Sequence, residues 1–213
     1  AWGLDIEIRN STSHHQIMNY LEVMIKDVFK KLEKYDKPLF KKIKIEEPKN
    51  NGNFPRITYA EAIQLLKEKG IFIEHGEDIG VEREMKLFEI LRDKIGSRAK
   101  LFFIHDYPNT VKKFYTKPQG ENLTQTFDLI YDGWEICSGA QRETNYSRMI
   151  GKMNKSGIDP NKYKFYLDMF RGKKIPNHGG FGLGMDRLVA RILRVETIRE
   201  VVLFPRTQYD LAP

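Results

Sequence analysis

Residues 177–193 read NHGGFGLGMDRLVARIL. Gly180, Gly182 and Gly184 fall at every second position, with Phe181, Leu183 and Met185 between them. Alternate residues of a β-strand point to opposite faces. This run therefore predicts a ribbon with one apolar face and one face bare of side chains. Glycine inside a strand weakens it and marks close approach by a ligand or another backbone. Asp186 and Arg187 follow at once and open a helical pattern. A bare floor ending in an arginine suits a flat base that carries phosphates. The alternative is tight packing against a neighbouring strand.

A second feature is a pair of acids. The segments 124–131 (TQTFDLIY) and 134–139 (WEICSG) flank Asp132-Gly133, a favoured two-residue turn of the mirror-image type. Such a turn sets Tyr131 opposite Trp134, Ile130 opposite Glu135 and Asp128 opposite Cys137. Asp128 and Glu135 then share a face as diagonal neighbours, roughly 7–8 Å apart at the backbone. Two carboxylates converging from that distance can ligate one ion. Hard oxygens without His or Cys suit Mg²⁺, which keeps waters and completes its shell from substrate phosphates. The alternative is two solvated charges on an exposed face. Arg142 lies just beyond, in CSGAQR. Its fork can grip a carboxylate with two hydrogen bonds, or it can sit on the surface. Arg187 would neutralise a terminal phosphate, whereas Arg191 and Arg194 on the same helical face read as a solvated basic stripe.

The elements that must hold these residues are legible along the chain. Leu4, Ile6 and Ile8 alternate with polar residues as a strand, the second half of a hairpin whose first half is absent. Ser13 caps a helix carrying Ile17, Leu21, Met24, Val28 and Leu32 on one face. Pro38 and the stretch PKNNGNFP (48–55) mark loops. Thr58 caps a helix over 59–69 that Gly70 ends. Residues 75–78 form a polar loop, and 81–95 a helix with Met85, Phe88 and Leu91 among its apolar positions. Strands are predicted at 100–104, 111–116 and 201–204, helices at 146–156 and 160–171. Hairpins with helices between them argue for an α+β fold, an antiparallel sheet backed by helices.

At 213 residues, 40% hydrophobic and 12% aromatic, the chain can bury a substantial core. Lys+Arg 36 against Asp+Glu 29 gives a net charge of +7, which suits a polyanion such as RNA. The lysine run over 26–49 is either an RNA-facing surface or a solvated helix face and loop. A single cysteine, Cys137, excludes an intramolecular disulfide and a cysteine-rich zinc site. No apolar run approaches the roughly 20 residues of a membrane helix. No membrane association and a cytoplasmic location are expected.

Taken together, FDLIYDGWEICSGAQR, HGGFGLGMDRLVARIL and IREVVLFPR resemble the catalytic core of the class II aminoacyl-tRNA synthetases, and more narrowly the archaeal and eukaryotic aspartyl-tRNA synthetases. GLDIEI near the start resembles the last strand of motif 2, and GEDIGVE (76–82) and FYTKP (114–118) also look like that subgroup. The resemblance covers nearly the whole chain. It implies that Asp128 and Glu135 are Mg²⁺ ligands, with Glu135 also touching ATP. It implies that Ser138 and Arg142 bind the amino acid, Arg142 through its side-chain carboxylate. Gly182, Leu183, Gly184 and Met185 match the ATP-binding segment, and Arg187 matches the motif 3 arginine on the ATP phosphates. A homodimer, L-aspartate and tRNA (Asp, with Asn as a second candidate) are implied as partners. The chain matches the C-terminal portion of such a catalytic domain, from the tail of motif 2 to motif 3. Motif 1, the motif 2 arginine and the anticodon-binding barrel are missing from it. Whether this portion is active alone is open. Thr144 departs from the subgroup, where aspartate-specific members often carry histidine.

The implied reaction is ATP-dependent formation of an aspartyl-adenylate and transfer to tRNA, by positioning and charge neutralisation rather than by a general base. Three other readings stand beside it. They are an asparaginyl-tRNA synthetase, a paralogue making asparagine by the same adenylate chemistry, and a non-catalytic RNA-binding or regulatory module on this fold.

Overall fold

The structure is a computed structural model that describes residues 2–35, 37–42, 52–74 and 76–205. The expected loop at 48–51, the lysines of the basic run beyond residue 42, His75 and Arg206 lie outside the described residues.

In chain order the elements are β1 (Gly3–Arg9), α1 (His14–Tyr35), α2 (Lys37–Lys42), β2 (Arg56–Thr58), α3 (Tyr59–Lys67), α4 (Val81–Ile95), β3 (Leu101–His105), β4 (Pro118–Gln119), β5 (Leu123–Thr124), β6 (Thr126–Tyr131), β7 (Trp134–Gln141), α5 (Tyr146–Lys155), α6 (Lys164–Asp168), β8 (His178–Gly184) and α7 (Met185–Leu193). Six strands form one sheet in the order β1-β8-β7-β6-β3-β2. Every neighbouring pair is antiparallel except β2 with β3. Flanking helices on an antiparallel core match the expected α+β class. The short parallel strand β2 follows from a helical crossing: α3 and α4 lie between β2 and β3, and a parallel pair needs such a connection.

Strand alternation divides the core in two. Leu101, Phe103, Phe127, Leu129, Phe181 and Leu183 point to one face, where Ile17, Met18, Leu21, Ile25 and Phe29 of α1 cover them, joined by Leu188 and Ile192 of α7. The α1 stripe is centred on Met18, Ile25 and Phe29. Met24 and Leu32 sit at its flank and are only partly buried. The opposite face carries Phe102, Ile104 and Ile130, covered by Ala62 and Leu66 of α3 and Leu87, Phe88 and Leu91 of α4. That second layer covers the β3–β6 end of the sheet, and the site described below lies on the same face at β7, β8 and β1. A third cluster packs Phe114 against Met149 and Met153 of α5 and Leu167 of α6.

Local signals place the helices. Thr58 and Glu61 form a reciprocal capping box at α3, and Gln16 N–H reaches Ser13 Oγ at 3.4 Å at the start of α1. Asp132 and Gly133 both take positive φ, 43° and 81°, as the mirror-image turn requires. Two predicted strands are absent. Residues 111–116 run in turns, because Val111 packs into the α3–α4 cluster whereas Phe114 enters the α5–α6 cluster. Near 201–204, a second capping box, Thr197 with Glu200, winds Ile198–Val201 into a 3₁₀ turn, and Leu203 and Phe204 stay exposed.

The glycines of β8 are not equivalent. A Cβ at Gly180 would collide with the Ile6 carbonyl oxygen and the Glu7 side chain of β1, whereas at Gly184 the nearest atom is 3.6 Å away. Gly180→Ala is therefore expected to destabilise the fold by about 1–3 kcal/mol, as overpacking does. Gly184→Ala should stay within about 1 kcal/mol of the parent, because the added methyl meets only ordinary contacts. Urea unfolding of both variants checks this, and equal losses would contradict it.

Candidate active site

The hairpin register departs from the simple expectation by one residue. Tyr131 faces Trp134 and Ile130 faces Glu135, but Leu129 then faces Cys137 and Asp128 faces Ser138, so Ile136 is extra. A bulge of this kind bends the strand and re-aims its side chains. A regular ladder would send Glu135 and Ser138 to opposite faces. With the bulge, Ile136 and Cys137 both enter the core under α1, and Glu135 and Ser138 face the same way as Asp128. The expected pairing of Asp128 with Cys137 is thus corrected. The shared face of Asp128 and Glu135 stands.

The glycine ribbon lies between β7 and β1. Ser138 and Asp5 flank Gly182, and Ala140 and Glu7 flank Gly180. At Gly180 the missing side chain admits β1 itself, which is the close-packing reading. At Gly182 the floor opens to a cavity, with Asp5 Oδ1 2.9 Å from where a Cβ would stand. Leu183 is buried in the α1-side core and Met185 packs against it. Their side chains face away from the floor, so these two positions offer a ligand backbone only.

The acids occupy the buried end of this face. Asp128 is 2% exposed. Its Oδ2 accepts from Lys112 Nζ at 2.6 Å, and its Oδ1 is buried without a partner. Lys112 Nζ also stands 3.8 Å over the Tyr107 ring. Burial, then the Asp128 charge, pushes the Glu135 carboxyl up to about 8, against the pull of Lys112 and Arg187. Glu84, reaching in from α4, accepts from the Glu135 N–H at 3.1 Å, and burial pushes it up to about 7. Carboxylates that oppose each other's ionisation, one with an orphaned oxygen, are donors that fit a hard divalent cation. Arg187, at the first turn of α7, donates to the Glu135 carbonyl at 2.7 Å. Arg191 is not a free solvated cation, since its guanidinium lies 3.9 Å from the Trp134 ring centroid.

Arg142 closes the other end. Its Nε donates to Glu7 Oε1 at 2.9 Å, a second guanidinium N–H meets the same oxygen, and the group lies 5.5 Å from the Tyr115 ring centroid. Arg142, Ser138, Glu135, Gly182, Asp5 and Lys112 line one cavity of about 630 Å³. Arg187, Glu84, Glu135 and Trp134 line a second of about 450 Å³. Glu135 and Asp78 belong to both cavities. The structure thus gathers Glu135, Ser138, Arg142 and Gly182 around one space, with the buried Asp128 held by Lys112 of the same lining, and sets Arg187 and Glu135 in an adjoining one. Sequence reasoning missed Asp5, Glu7, Glu84 and Lys112. Asp5 and Glu7 were findable as the polar phase of the first strand once it is paired with the glycines. Lys112 was hidden by reading 111–116 as a strand, and nothing local marks Glu84.

Residues 2–208 match the profile of tRNA synthetases class II (D, K and N). The chain is 38% identical over 213 residues to the aspartate–tRNA(Asp/Asn) ligase of Methanopyrus kandleri, covering 100% of this chain and 48% of that protein. It is 37% identical over 217 residues to the aspartate–tRNA(Asp) ligase of Pyrococcus furiosus, with the same coverage. An asparagine–tRNA ligase of Thermococcus gammatolerans is 41% identical over 164 residues, 75% of this chain and 36% of that one. Among solved structures, an aspartyl tRNA synthetase from Entamoeba histolytica superposes with TM-score 0.88 at 30% identity, covering 99% of this chain and 44% of its own. The asparaginyl-tRNA synthetase of Pyrococcus horikoshii complexed with asparaginyl-adenylate gives 0.86 at 32%, covering 100% and 48%. The chain spans about half the length of the curated relatives it matches.

The acid cluster has a pH signature. Glu135 and Glu84 hold protons in the folded state up to about 8 and about 7, but release them near 4.5 when unfolded. Between those values the native state binds more protons, so stability falls as pH rises. Melting temperature is expected to drop from pH 6 to pH 9 in metal-free buffer, and Glu135→Gln to flatten that slope. A slope unchanged by Glu135→Gln would remove Glu135 from its source.

Proposed function

Because the chain belongs to the class II tRNA synthetases (D, K and N), we propose that its site activates L-aspartate with ATP and passes it to tRNA, within a polypeptide longer than this segment. The observation that carries the choice of amino acid is the Arg142 fork on the Glu7 carboxylate, beside Ser138 and Gly182 in the larger cavity. Glu7 stands in for the substrate's side-chain carboxylate, the group this guanidinium is built to receive. An asparagine amide would present a donor to a residue that has only donors.

The nucleotide lies across the Gly182–Gly184 floor, with its phosphates toward Arg187 in the adjoining cavity. Asp128 and Glu135 are the residues that would hold Mg²⁺, which supplies positive charge to the phosphates when bound. With the amino acid on Arg142, its α-carboxylate oxygen bonds to the α-phosphorus as the bond to pyrophosphate breaks. The terminal ribose hydroxyl of tRNA then attacks the adenylate's carbonyl carbon, and AMP leaves as the ester forms. Lys112 keeps Asp128 oriented and Glu84 keeps the Glu135 backbone in place, so the protein's contribution is position and charge. The net charge of +7 favours the tRNA partner. A homodimer and a cytoplasmic location go with this reading. Among the described residues, no helix is long and apolar enough to cross a membrane.

Thr144, where many aspartate enzymes carry histidine, and the likeness to an asparagine–tRNA ligase keep asparagine as the second reading. Pyrophosphate exchange by the complete polypeptide decides between them, with faster exchange on L-aspartate than on L-asparagine expected. Arg142→Ala should weaken aspartate by about 2–5 kcal/mol, the range for removing one partner of a charged contact, and leave the KM for ATP nearly unchanged. Equal losses for both substrates would contradict its role. Asp128→Ala and Glu135→Ala should each raise the Mg²⁺ concentration needed for exchange. An unaltered Mg²⁺ dependence removes that residue from the metal site.

A further inference from the structure

The start of α1 and the end of β3 bring together His14, His15, His105 and Asp106, four side chains with no part in the proposed reaction. One ligand atom from each lies within 4.8 Å of the other three. His105 pairs with Phe127 on the sheet face that α1 covers, so this cluster is separate from the acids Glu84, Asp128 and Glu135. His14 is 2% exposed and His105 9%. His14 Nε2 stands 2.9 Å from Asp106 Oδ1 and His105 Nδ1 stands 3.1 Å from Asp106 Oδ2. His14 Nδ1 is buried without a hydrogen-bond partner. The three imidazole rings crowd one another, with centroids 4.1, 5.0 and 5.8 Å apart.

Buried imidazoles normally settle a ring nitrogen on a carbonyl or carboxylate. Here two imidazoles share the single Asp106 carboxylate and a third ring crowds against both. We propose that His14, His15, His105 and Asp106 form a site for a divalent transition ion of the zinc class, distinct from the Mg²⁺ position. Three nitrogens and one carboxylate oxygen are a complete tetrahedral set for Zn²⁺. At ordinary Zn–N and Zn–O lengths of about 2.0–2.1 Å, neighbouring ligand atoms stand about 3.3–3.4 Å apart. His15, the exposed member of the set, has room to turn toward the other three. Arg56, whose charge reaches His15, is balanced by Glu22 at 3.2 Å. Asp106 also opens the connection that carries Lys112. An ion here would pin that connection to α1, and with it the ammonium that holds Asp128.

The test uses the complete polypeptide without added histidine tags, stripped with a chelator and titrated with Zn²⁺ and, separately, Co²⁺ in excess Mg²⁺. One tightly held equivalent of Zn²⁺, a rise in melting temperature on loading, and visible Co²⁺ absorption of tetrahedral intensity are expected. His15→Ala should weaken Zn²⁺ at least tenfold and Asp106→Asn should do the same. His15 is exposed, so its variant keeps the fold and decides alone if Asp106→Asn does not fold. Absence of stoichiometric binding overturns the proposal. So does Zn²⁺ affinity unchanged in His15→Ala, which would place the ion elsewhere.

Discussion

Buried negative charge at the end of the sheet is the constraint around which the rest is arranged. Asp128, Glu135 and Glu84 come from three elements and share a low-dielectric space with one ammonium, Lys112, and one guanidinium, Arg187. Isolated ionised carboxylates are too costly to bury, so burial pushes Glu135 and Glu84 toward the protonated form and Lys112 pairs Asp128. A site poised in this way gains most from an incoming cation, and from a polyphosphate that arrives with one. The same arrangement explains why α4 crosses this face, since Glu84 both adds to the charge and accepts the Glu135 N–H.

The bulge in β7 gives that charge its neighbours. One extra residue, Ile136, lets two consecutive apolar side chains enter the core while Glu135 and Ser138 look out on the same side. Asp128, Glu135, Ser138 and the Gly182 floor are contiguous only because the ladder is broken there. Bulges recur beside active sites for this reason. On the far side of the floor, β1 lays Asp5 and Glu7 along the glycines, and Glu7 holds the Arg142 fork. The larger cavity and an adjoining one toward Arg187 then meet at Glu135.

The close approach of β1 to β8 also shows that glycines of one motif meet different surroundings. Gly180 is needed by the neighbouring strand and Gly182 faces the cavity, so one repeating pattern serves two ends of a ribbon.

Much of this was determined by local sequence. The Asp132-Gly133 turn, the Thr58 cap and the glycine alternation each depend on interactions within a few residues, and each is present in the fold; the helix α1 is present too, but its buried stripe is turned from the expected Met24, Val28 and Leu32 toward Met18, Ile25 and Phe29. The likeness of FDLIYDGWEICSGAQR and HGGFGLGMDRLVARIL to the synthetases placed Asp128, Glu135, Ser138, Arg142 and Arg187 near one another. The tertiary structure decided what depends on distant partners. The bulge follows from competition between the core under α1 and the open face. The turns at 111–116 follow from two clusters pulling Val111 and Phe114 apart, which is what turns Lys112 inward. Glu84, Glu7 and the His14–His105–Asp106 cluster are close only in space, separated by tens of residues along the chain, and no pattern of local periodicity carries such a meeting.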